Sequence, residues 1–139
     1  MRYLLDTNII SDLIRNPGGR SAQRIRDVGE GQVCTSIIVA AELRYGAAKR
    51  ASTTLTARIE AVLDILTVLP LDEPADAAYG AIRASLEATG QVIGNNDMLI
   101  AGHALALGCT VVTDNEGEFR RVEGLRCENW LRSPTTPAP

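Results

Sequence analysis

The sequence predicts an α/β protein of three layers, α/β/α, built on a parallel central sheet of four to five strands. Short apolar segments alternate with helical segments of about ten residues or more, which is typical of parallel sheets covered on both faces. The 139 residues suffice for one domain with its own core. In such sheets ligands bind at the carboxyl ends of the strands, so functional residues are expected there.

Five segments are predicted as strands because each is short, largely apolar and bounded by turn residues. They are residues 2–5, "VCTS" at 33–36, "TVLPL" at 67–71, "CTVVT" at 109–113 and "LRCENW" at 125–130, the last at the edge of the sheet.

Helices are predicted between these strands from apolar spacing and from capping residues. They cover 9–14, 21–28, 37–50, 55–66, the segment between Asp72 and Gly90, and 96–107. Ser36 and Asp72 are preferred N-caps, Pro74 suits a first helical turn, and Gly90 and Gly108 end their helices.

Residues 1–132 are predicted to form the folded domain, because "SPTTPAP" at 133–139 has no apolar periodicity and is expected to be disordered. No apolar run approaches the ~18 residues of a membrane span, and no signal peptide is evident, so we expect a cytoplasmic protein without a membrane partner. Three separated cysteines indicate neither a disulfide framework nor a zinc site.

The charge pattern leaves nucleic acid open as a partner, although the net charge is −3. Thirteen of the fourteen basic residues are Arg, whose planar fork binds phosphate bidentately. Clusters occur at Arg20, Arg24 and Arg26, and around Arg44 and Arg50. Solvated helix faces with weak surface ion pairs explain them equally well.

Two acids follow predicted strands, and both therefore point toward one edge of the sheet. Asp6 follows the first strand and Asp114 the fourth, directly after Thr113. Each also has an ordinary interpretation, Asp6 as a helix N-cap and Asp114 as a turn residue. Asp97 lies in the first turn of its helix, where the helix dipole favours a carboxylate by ~0.3–1 kcal/mol.

Glu42 is not explained by capping, because it falls in the middle of a helix. Its neighbours at minus four, minus three, plus three and plus four are Ile38, Val39, Tyr45 and Gly46, all uncharged. A carboxylate in that stripe is buried or half-buried and needs a cation. The alternative is a position at the rim of the stripe, paired with a distant Arg.

If Asp6, Glu42 and Asp97 converge, each close pair of carboxylates costs about 4 kcal/mol at an effective dielectric of 20. A divalent cation offsets this repulsion, and all-oxygen ligation favours Mg²⁺ or Mn²⁺ over zinc. The single His, His103, lies about 240° around the helix from Asp97 and is expected to belong to the core rather than to the site.

Four motifs resemble the PIN domain, specifically the VapC toxins of prokaryotic toxin–antitoxin pairs. They are "LLDTN", "TSIIVAAELRYG", "IGNNDMLIAGHALALG" and "VVTDNEGEF", and the likeness covers residues 3 to about 131. The segment from "IGNND" to "LRCENW" looks closest to the VapC subgroup that cleaves initiator tRNA in the anticodon region.

The resemblance implies a PIN-like fold and a metal-dependent endoribonuclease that leaves a 5′-phosphate and a 3′-hydroxyl. The acids matching the family's ligands for Mg²⁺ or Mn²⁺ are Asp6, Glu42 and Asp97, with Asp114 as a further catalytic candidate. Thr7, Asn8, Thr113 and Asn115 would orient these acids or a bound water. Many relatives carry the fourth acid two places after the Thr, where this chain has Asn115, so the fourth position stays open between Asp114 and Asn115.

The resemblance also implies an RNA substrate, with tRNA expected, a VapB-type antitoxin as partner, and a homodimer within a larger toxin–antitoxin assembly. Two alternatives remain. One is a catalytically weak PIN-domain regulatory or binding module. The other is an aspartyl-phosphate type phosphatase, which requires a second Asp two places after Asp6 and a nearby Lys, whereas the chain has Asn8 and a single Lys49.

Overall fold

The computed structural model describes residues 2–132, which form a five-stranded parallel sheet covered by helices, as predicted. The strands are β1 (Tyr3–Leu5), β2 (Val33–Ser36), β3 (Thr67–Leu69), β4 (Thr110–Val112) and β5 (Cys127–Glu128). The helices are α1 (Thr7–Arg15), α2 (Arg20–Val28), α3 (Ile37–Arg50), α4 (Thr53–Ile65), α5 (Ala75–Ala88), α6 (Asn95–Leu107) and α7 (Glu116–Phe119).

The strand order β3-β2-β1-β4-β5 places β1 in the centre and creates a switch point beside it. The chain runs outward from β1 through β2 to β3, then returns to place β4 on the other side of β1. Leu5 pairs with Thr35 of β2 and with Val112 of β4 in parallel register. A crevice at the carboxyl ends of β1 and β4 follows from this order.

The core lies on both faces of the central strands. Leu4, Leu5, Val111 and Val112 are completely buried, as expected for strands covered on both faces. Phe119 and Trp130, which follow β4 in the chain, are also buried. The segment after β4 is therefore anchored to the core, which fixes its side chains near the crevice.

The structure agrees most closely with the sequence where capping and periodicity coincide. The predicted bounds of β2 and α3 are those observed, and the Ser36 hydroxyl caps α3 by accepting from the N–H of Ile38 at 3.1 Å. β3 stops at Leu69, before Pro70, which has no N–H to donate to a neighbouring strand. Helix α7 was not predicted, because four residues are too few to show a period.

Two local expectations were wrong. Asp72 does not cap α5 with its side chain: Pro74 occupies the N-cap position, and Asp72 contributes its carbonyl oxygen to the N–H of Ala75 at 2.9 Å. Tyr45, expected on the inward stripe of α3, is 65% exposed, so that stripe is narrower than predicted.

The predicted disordered tail, 133–139, lies outside the described residues. None of the helices within residues 2–132 combines the length and the apolar character needed to cross a bilayer.

The tight contact between α5 and α6 supplies a test of the packing. A Cβ at Gly102 of α6 would lie 3.0 Å from the backbone nitrogen of Tyr79, whereas a Cβ at Gly80 of α5 meets nothing within 4 Å. Gly102→Ala should lower the free energy of unfolding by about 1–2 kcal/mol through overpacking. The matched Gly80→Ala should raise it by about 0.5–1 kcal/mol through helix propensity. Urea unfolding curves measure both, and equal shifts would contradict the packing.

Candidate metal centre

Asp6 begins helix α1 and also lies at the switch point of the sheet. Its N–H donates to the Val112 carbonyl at 2.9 Å, and its side-chain Oδ1 accepts from the N–H of Thr7 at 2.8 Å. The residue is only 4% exposed. Capping uses Oδ1 and leaves Oδ2 for other partners, so the two interpretations of Asp6 are compatible.

The other carboxylate oxygen of Asp6 is held by residues after β4 and within α1. The Thr113 hydroxyl donates to Oδ2 at 2.8 Å, and the Asn8 amide approaches it at 3.5 Å. The N–H of Asn115 in turn donates to the Thr113 hydroxyl oxygen at 2.9 Å. Burial raises the pKa of Asp6, the charge of Glu42 raises it further, and the donors from Thr113, Thr7 and Asn8 lower it.

Glu42 reaches the same crevice from the middle of α3, where it is half-buried as its neighbours indicated. Its hydrogen-bond partners are neutral: the Thr7 hydroxyl donates to Oε1 at 2.7 Å, and the Asn96 amide approaches Oε2 at 3.5 Å. The nearby Arg44 turns away and pairs with Glu60 of α4. The cation that Glu42 was expected to need is therefore not Arg44.

Asp97, in the first turn of α6, is the most perturbed acid of the cluster. Burial, a hydrogen bond to Glu118, and the charges of Asp6, Glu118 and Glu42 raise the pKa of Asp97 to about 8. The same hydrogen bond lowers the pKa of Glu118. The pair therefore titrates with the higher pKa on Asp97 and the lower pKa on Glu118, as expected for two carboxyls in close contact.

Glu118 is a residue that the sequence interpretation missed. It lies on α7, and the Asn115 amide donates both to its Oε2 at 3.0 Å and to Asp97 Oδ2 at 3.1 Å. The sequence did contain one indication of Glu118, its spacing from Asn115 in "NEGEF". Residues three apart share a face once the segment is helical, so Glu118 would lie on the side of Asn115.

Asp114 points away from the other acids. Its Oδ1 accepts from the Asn129 amide at 2.9 Å and lies 3.8 Å from Nε of Arg132, while its N–H donates to Asn8 Oδ1 at 2.9 Å. The chain bends at Asp114, and the N–H of Asn115 donates back to the Thr113 hydroxyl, so Thr113 and Asn115 face Asp6 and Asp97 while Asp114 does not.

An open cavity of about 410 Å³ joins the predicted residues. It is lined by Asp6, Thr7, Asn8, Ser11, Arg15, Glu42, Asp97 and Asn115. Within residues 2–132, no three of the potential ligands stand close enough to enclose a bare ion. Mg²⁺ usually keeps several waters and takes only one or two carboxylates directly, so the oxygen-rich, mutually repelling acids fit a hydrated divalent cation.

The two residues that invite other chemistry lie elsewhere. His103 is 2% exposed, and its Nδ1 lies 2.8 Å from the Ser36 hydroxyl oxygen, with burial lowering the pKa of the imidazole. Lys49 lies at the end of α3, where its ammonium is 6.0 Å from the ring centre of Tyr45. Neither His103 nor Lys49 lines the cavity. The cavity therefore contains neither a His base nor the Lys that aspartyl-phosphate chemistry requires.

The fold and the cavity together define an α/β/α protein with a carboxylate centre at the switch point of its sheet. The family model of the PIN domain matches residues 3–125. The chain is 38% identical to the tRNA(fMet)-specific endonuclease VapC of Shigella flexneri, over 94% of this chain and 98% of that protein. It is 39% identical to the ribonuclease VapC2 of Haemophilus influenzae, over 94% and 99%.

Among solved structures, the chain is similar to VapBC2 from Rickettsia felis bound to a promoter DNA fragment, with a TM-score of 0.86, 35% identity and coverage of 94% and 99%. It is also similar to DNA-bound VapBC from Salmonella typhimurium, with a TM-score of 0.86, 37% identity and coverage of 94% and 98%. The chain belongs to the PIN-domain family and, within it, to the VapC proteins, which confirms the resemblance.

The raised pKa of Asp97 predicts how the metal-free protein responds to pH. The folded state holds the Asp97 proton up to about pH 8, whereas the unfolded chain releases it near 3.8. The stability associated with that proton is therefore present at low pH and lost as pH rises toward 8. Asp97→Asn should abolish this loss and give, at pH 8.5 with a chelator, a Tm about 3 °C or more above that of the unmodified protein.

Thermal unfolding followed by circular dichroism between about pH 5 and pH 8.5 measures this effect. The exposed Asp64 on α4 supplies the matched control, because Asp64→Asn removes the same charge outside the cavity. A Tm of Asp97→Asn that fell with pH as steeply as that of the control would refute the assignment.

Proposed function

We propose that this protein is the toxin of a type II toxin–antitoxin pair and acts as a metal-dependent endoribonuclease. The observation that carries the proposal is the convergence of Asp6, Glu42 and Asp97 on one open cavity. Arg15 also lines this cavity, but within residues 2–132 none of the three acids forms an ion pair with it or with another basic side chain. Relatives of nearly the same length are named ribonucleases and endonucleases VapC, which supports the assignment.

The metal is proposed to be Mg²⁺, with Mn²⁺ able to substitute, because the candidate ligands are oxygen atoms. Asp6, Glu42 and Asp97 would hold it, and Glu118 stands beside Asp97 as a fourth acid. When bound, the ion would activate a water molecule and neutralise charge on the phosphodiester. The products would carry a 5′-phosphate and a 3′-hydroxyl.

The remaining side chains are proposed to orient these acids. The Thr7 hydroxyl fixes the Glu42 carboxylate, and the Thr113 hydroxyl fixes that of Asp6, with Asn8 in support. Asn115 stands two places after Thr113, where many relatives carry the fourth acid, and its amide bridges Asp97 and Glu118 without adding charge. Carboxylates held in this way retain their positions as the cation binds.

The substrate is proposed to be tRNA, with initiator tRNA as the first candidate. Two of the similar proteins, from Shigella flexneri and Salmonella typhimurium, are named tRNA(fMet)-specific endonucleases. Cleavage of such an RNA would inhibit translation and would take place in the cytoplasm, where tRNA acts.

The partner is proposed to be a VapB-type antitoxin, as in the VapBC complexes that this chain resembles. Among the residues described, the cavity has three acids and a single lining basic residue, Arg15, so it suits an inserted Arg side chain, which would neutralise the acids as the metal would. Homodimerisation and a larger toxin–antitoxin assembly remain predictions.

The proposed activity is tested by incubating an initiator tRNA transcript with the purified protein. Cleavage should require Mg²⁺ or Mn²⁺ and should fall by more than about 100-fold in Asp6→Asn, Glu42→Gln and Asp97→Asn, because each change removes a charge that the cation needs. Sequencing of the RNA ends would locate the cut. Cleavage with a chelator present, unchanged by these substitutions, would refute the proposal.

The fourth acid position is decided by a matched pair. Glu118→Gln should reduce cleavage strongly, because the Asn115 amide joins Glu118 to Asp97, whereas Asp114→Asn should leave it within about twofold because its carboxylate faces Asn129 and Arg132. Both variants are measured as single-turnover cleavage rates on the same transcript. A strong loss in Asp114→Asn with little change in Glu118→Gln would assign the fourth acid position to Asp114.

A further inference from the structure

A groove lined by arginines leads away from the carboxylate cavity. Arg15 lines both that cavity and a second one formed by the turn between α1 and α2. Arg20 lines this second cavity and also a third of about 620 Å³, between α2 and the segment around β5. We call the second and third cavities together the arginine groove, since they adjoin one another at Arg20 and adjoin the carboxylate cavity at Arg15.

The groove concentrates positive charge on an acidic protein. Five of the chain's fourteen basic residues line it, against three acids, although the whole chain carries a net charge of −3. The five are Arg15, Arg20, Arg24, Arg120 and Arg132, and the three acids are Asp12, Glu116 and Glu128.

The acids of the groove already have donors. Asp12 accepts from the Asn16 amide at 2.8 Å, Glu116 from Arg120 at 3.4 Å, and Glu128 from Arg24 at 3.2 Å. These contacts are solvent-exposed and weak, so they leave much of the positive charge of the groove available to a ligand. The groove therefore presents a local positive surface despite its acids.

One arginine is fixed in place by the core beneath it. The guanidinium of Arg24 lies 5.5 Å from the ring centre of the buried Trp130, whose indole N–H donates to Glu128 at 3.1 Å. Arg120 and Arg132, by contrast, have side chains about 70% exposed. A buried Trp130 that holds Arg24, with exposed arginines around it, suits the binding of a long, flexible polyanion.

We propose that the arginine groove binds the sugar–phosphate backbone of the RNA substrate, several nucleotides from the bond that is cut. The inference rests on the proposed ribonuclease function, and it assigns to this surface the binding that the acid cluster cannot provide. Carboxylates repel phosphates, so affinity for RNA has to come from neighbouring basic residues. Arg is suited to this role because its fork binds phosphate oxygens bidentately.

An acidic protein segment is the competing occupant of the groove. The continuity of the groove with the carboxylate cavity through Arg15 favours RNA, because the same strand would leave the site along the groove. Phosphates also repeat at every nucleotide, which matches a series of arginines distributed along a path.

The test compares three triple variants of the full chain. The groove variant carries Arg20→Gln, Arg120→Gln and Arg132→Gln, and a second variant carries Lys at the same positions to keep the charge. These positions are exposed, and the variants leave Arg15 of the carboxylate cavity and Arg24 above Trp130 unchanged. The control carries Lys49→Gln, Arg50→Gln and Arg58→Gln on the exposed surface of α3 and α4.

Binding of a fluorescent initiator tRNA transcript is measured by anisotropy with a chelator present, at about 50 to 200 mM salt. The groove variant should bind at least about tenfold more weakly at low salt, and its slope of log affinity against log salt should be shallower by about 2. The control should stay within about twofold of the unmodified protein, and the Lys variant should keep the salt slope of the unmodified protein while binding only about fivefold more weakly, because Lys keeps the charge and lacks the fork. Fluorescence of the single Trp130 reports whether the fold under the groove is intact.

Unchanged tRNA affinity in the groove variant, or an equal loss in the control, would overturn the proposal while leaving the ribonuclease function standing. A groove variant that bound tRNA normally but no longer bound a polyglutamate peptide would assign the groove to an acidic protein segment. If the unmodified protein bound tRNA through the groove but never cleaved it with Mg²⁺ or Mn²⁺, the ribonuclease function alone would fail.

Discussion

The hydrogen bond from the Thr113 hydroxyl to the Asp6 carboxylate is the contact on which the rest of the site depends. It exists because β1 and β4 are neighbours at the switch point, which brings the residues directly after them together. Asp6 is thereby fixed from α1 by its capping bond and from the β4 side by Thr113. Asn115 is placed through the same hydroxyl, and with it the amide that reaches Asp97.

This arrangement brings together carboxylates that repel one another in a partly buried cavity. Neutral donors hold these carboxylates in place: Glu42 accepts from Thr7, and Asp97 accepts from Asn115. Neither of the two pairs with a basic side chain in the contacts described. Burial, the hydrogen bond to Glu118 and the charges of the neighbouring acids together raise the pKa of Asp97. Because the ionised acids destabilise one another in this cavity, the site is suited to bind a divalent ion.

Within residues 2–132 the sequence predicted the fold class, the five strands and six of the seven α-helices, because each of these elements carries its own periodicity or its own cap. Ser36 shows why the agreement is best at β2 and α3: one residue ends the strand and caps the helix, so both bounds are fixed locally. The prediction was poorer where the chain leaves a regular element. Asp72 had the composition of a cap, but the turn before α5 places Pro74 at that position, and local composition does not determine such a turn.

By itself the sequence determined which acids are available and that Asp6 follows a buried strand. It also determined that Glu42 interrupts an apolar stripe with no basic residue three or four positions away on its helix. Only the tertiary structure decided which side chains face one another after β4. The chain bends at Asp114, which leaves the Asp114 carboxylate outside the cavity and Asn115 inside it, and α7 then returns Glu118 to the side of Asp97. The reason is geometric: the bend and the single helical turn that follow β4 depend on where that strand ends. That point is set by pairing with strands distant in sequence.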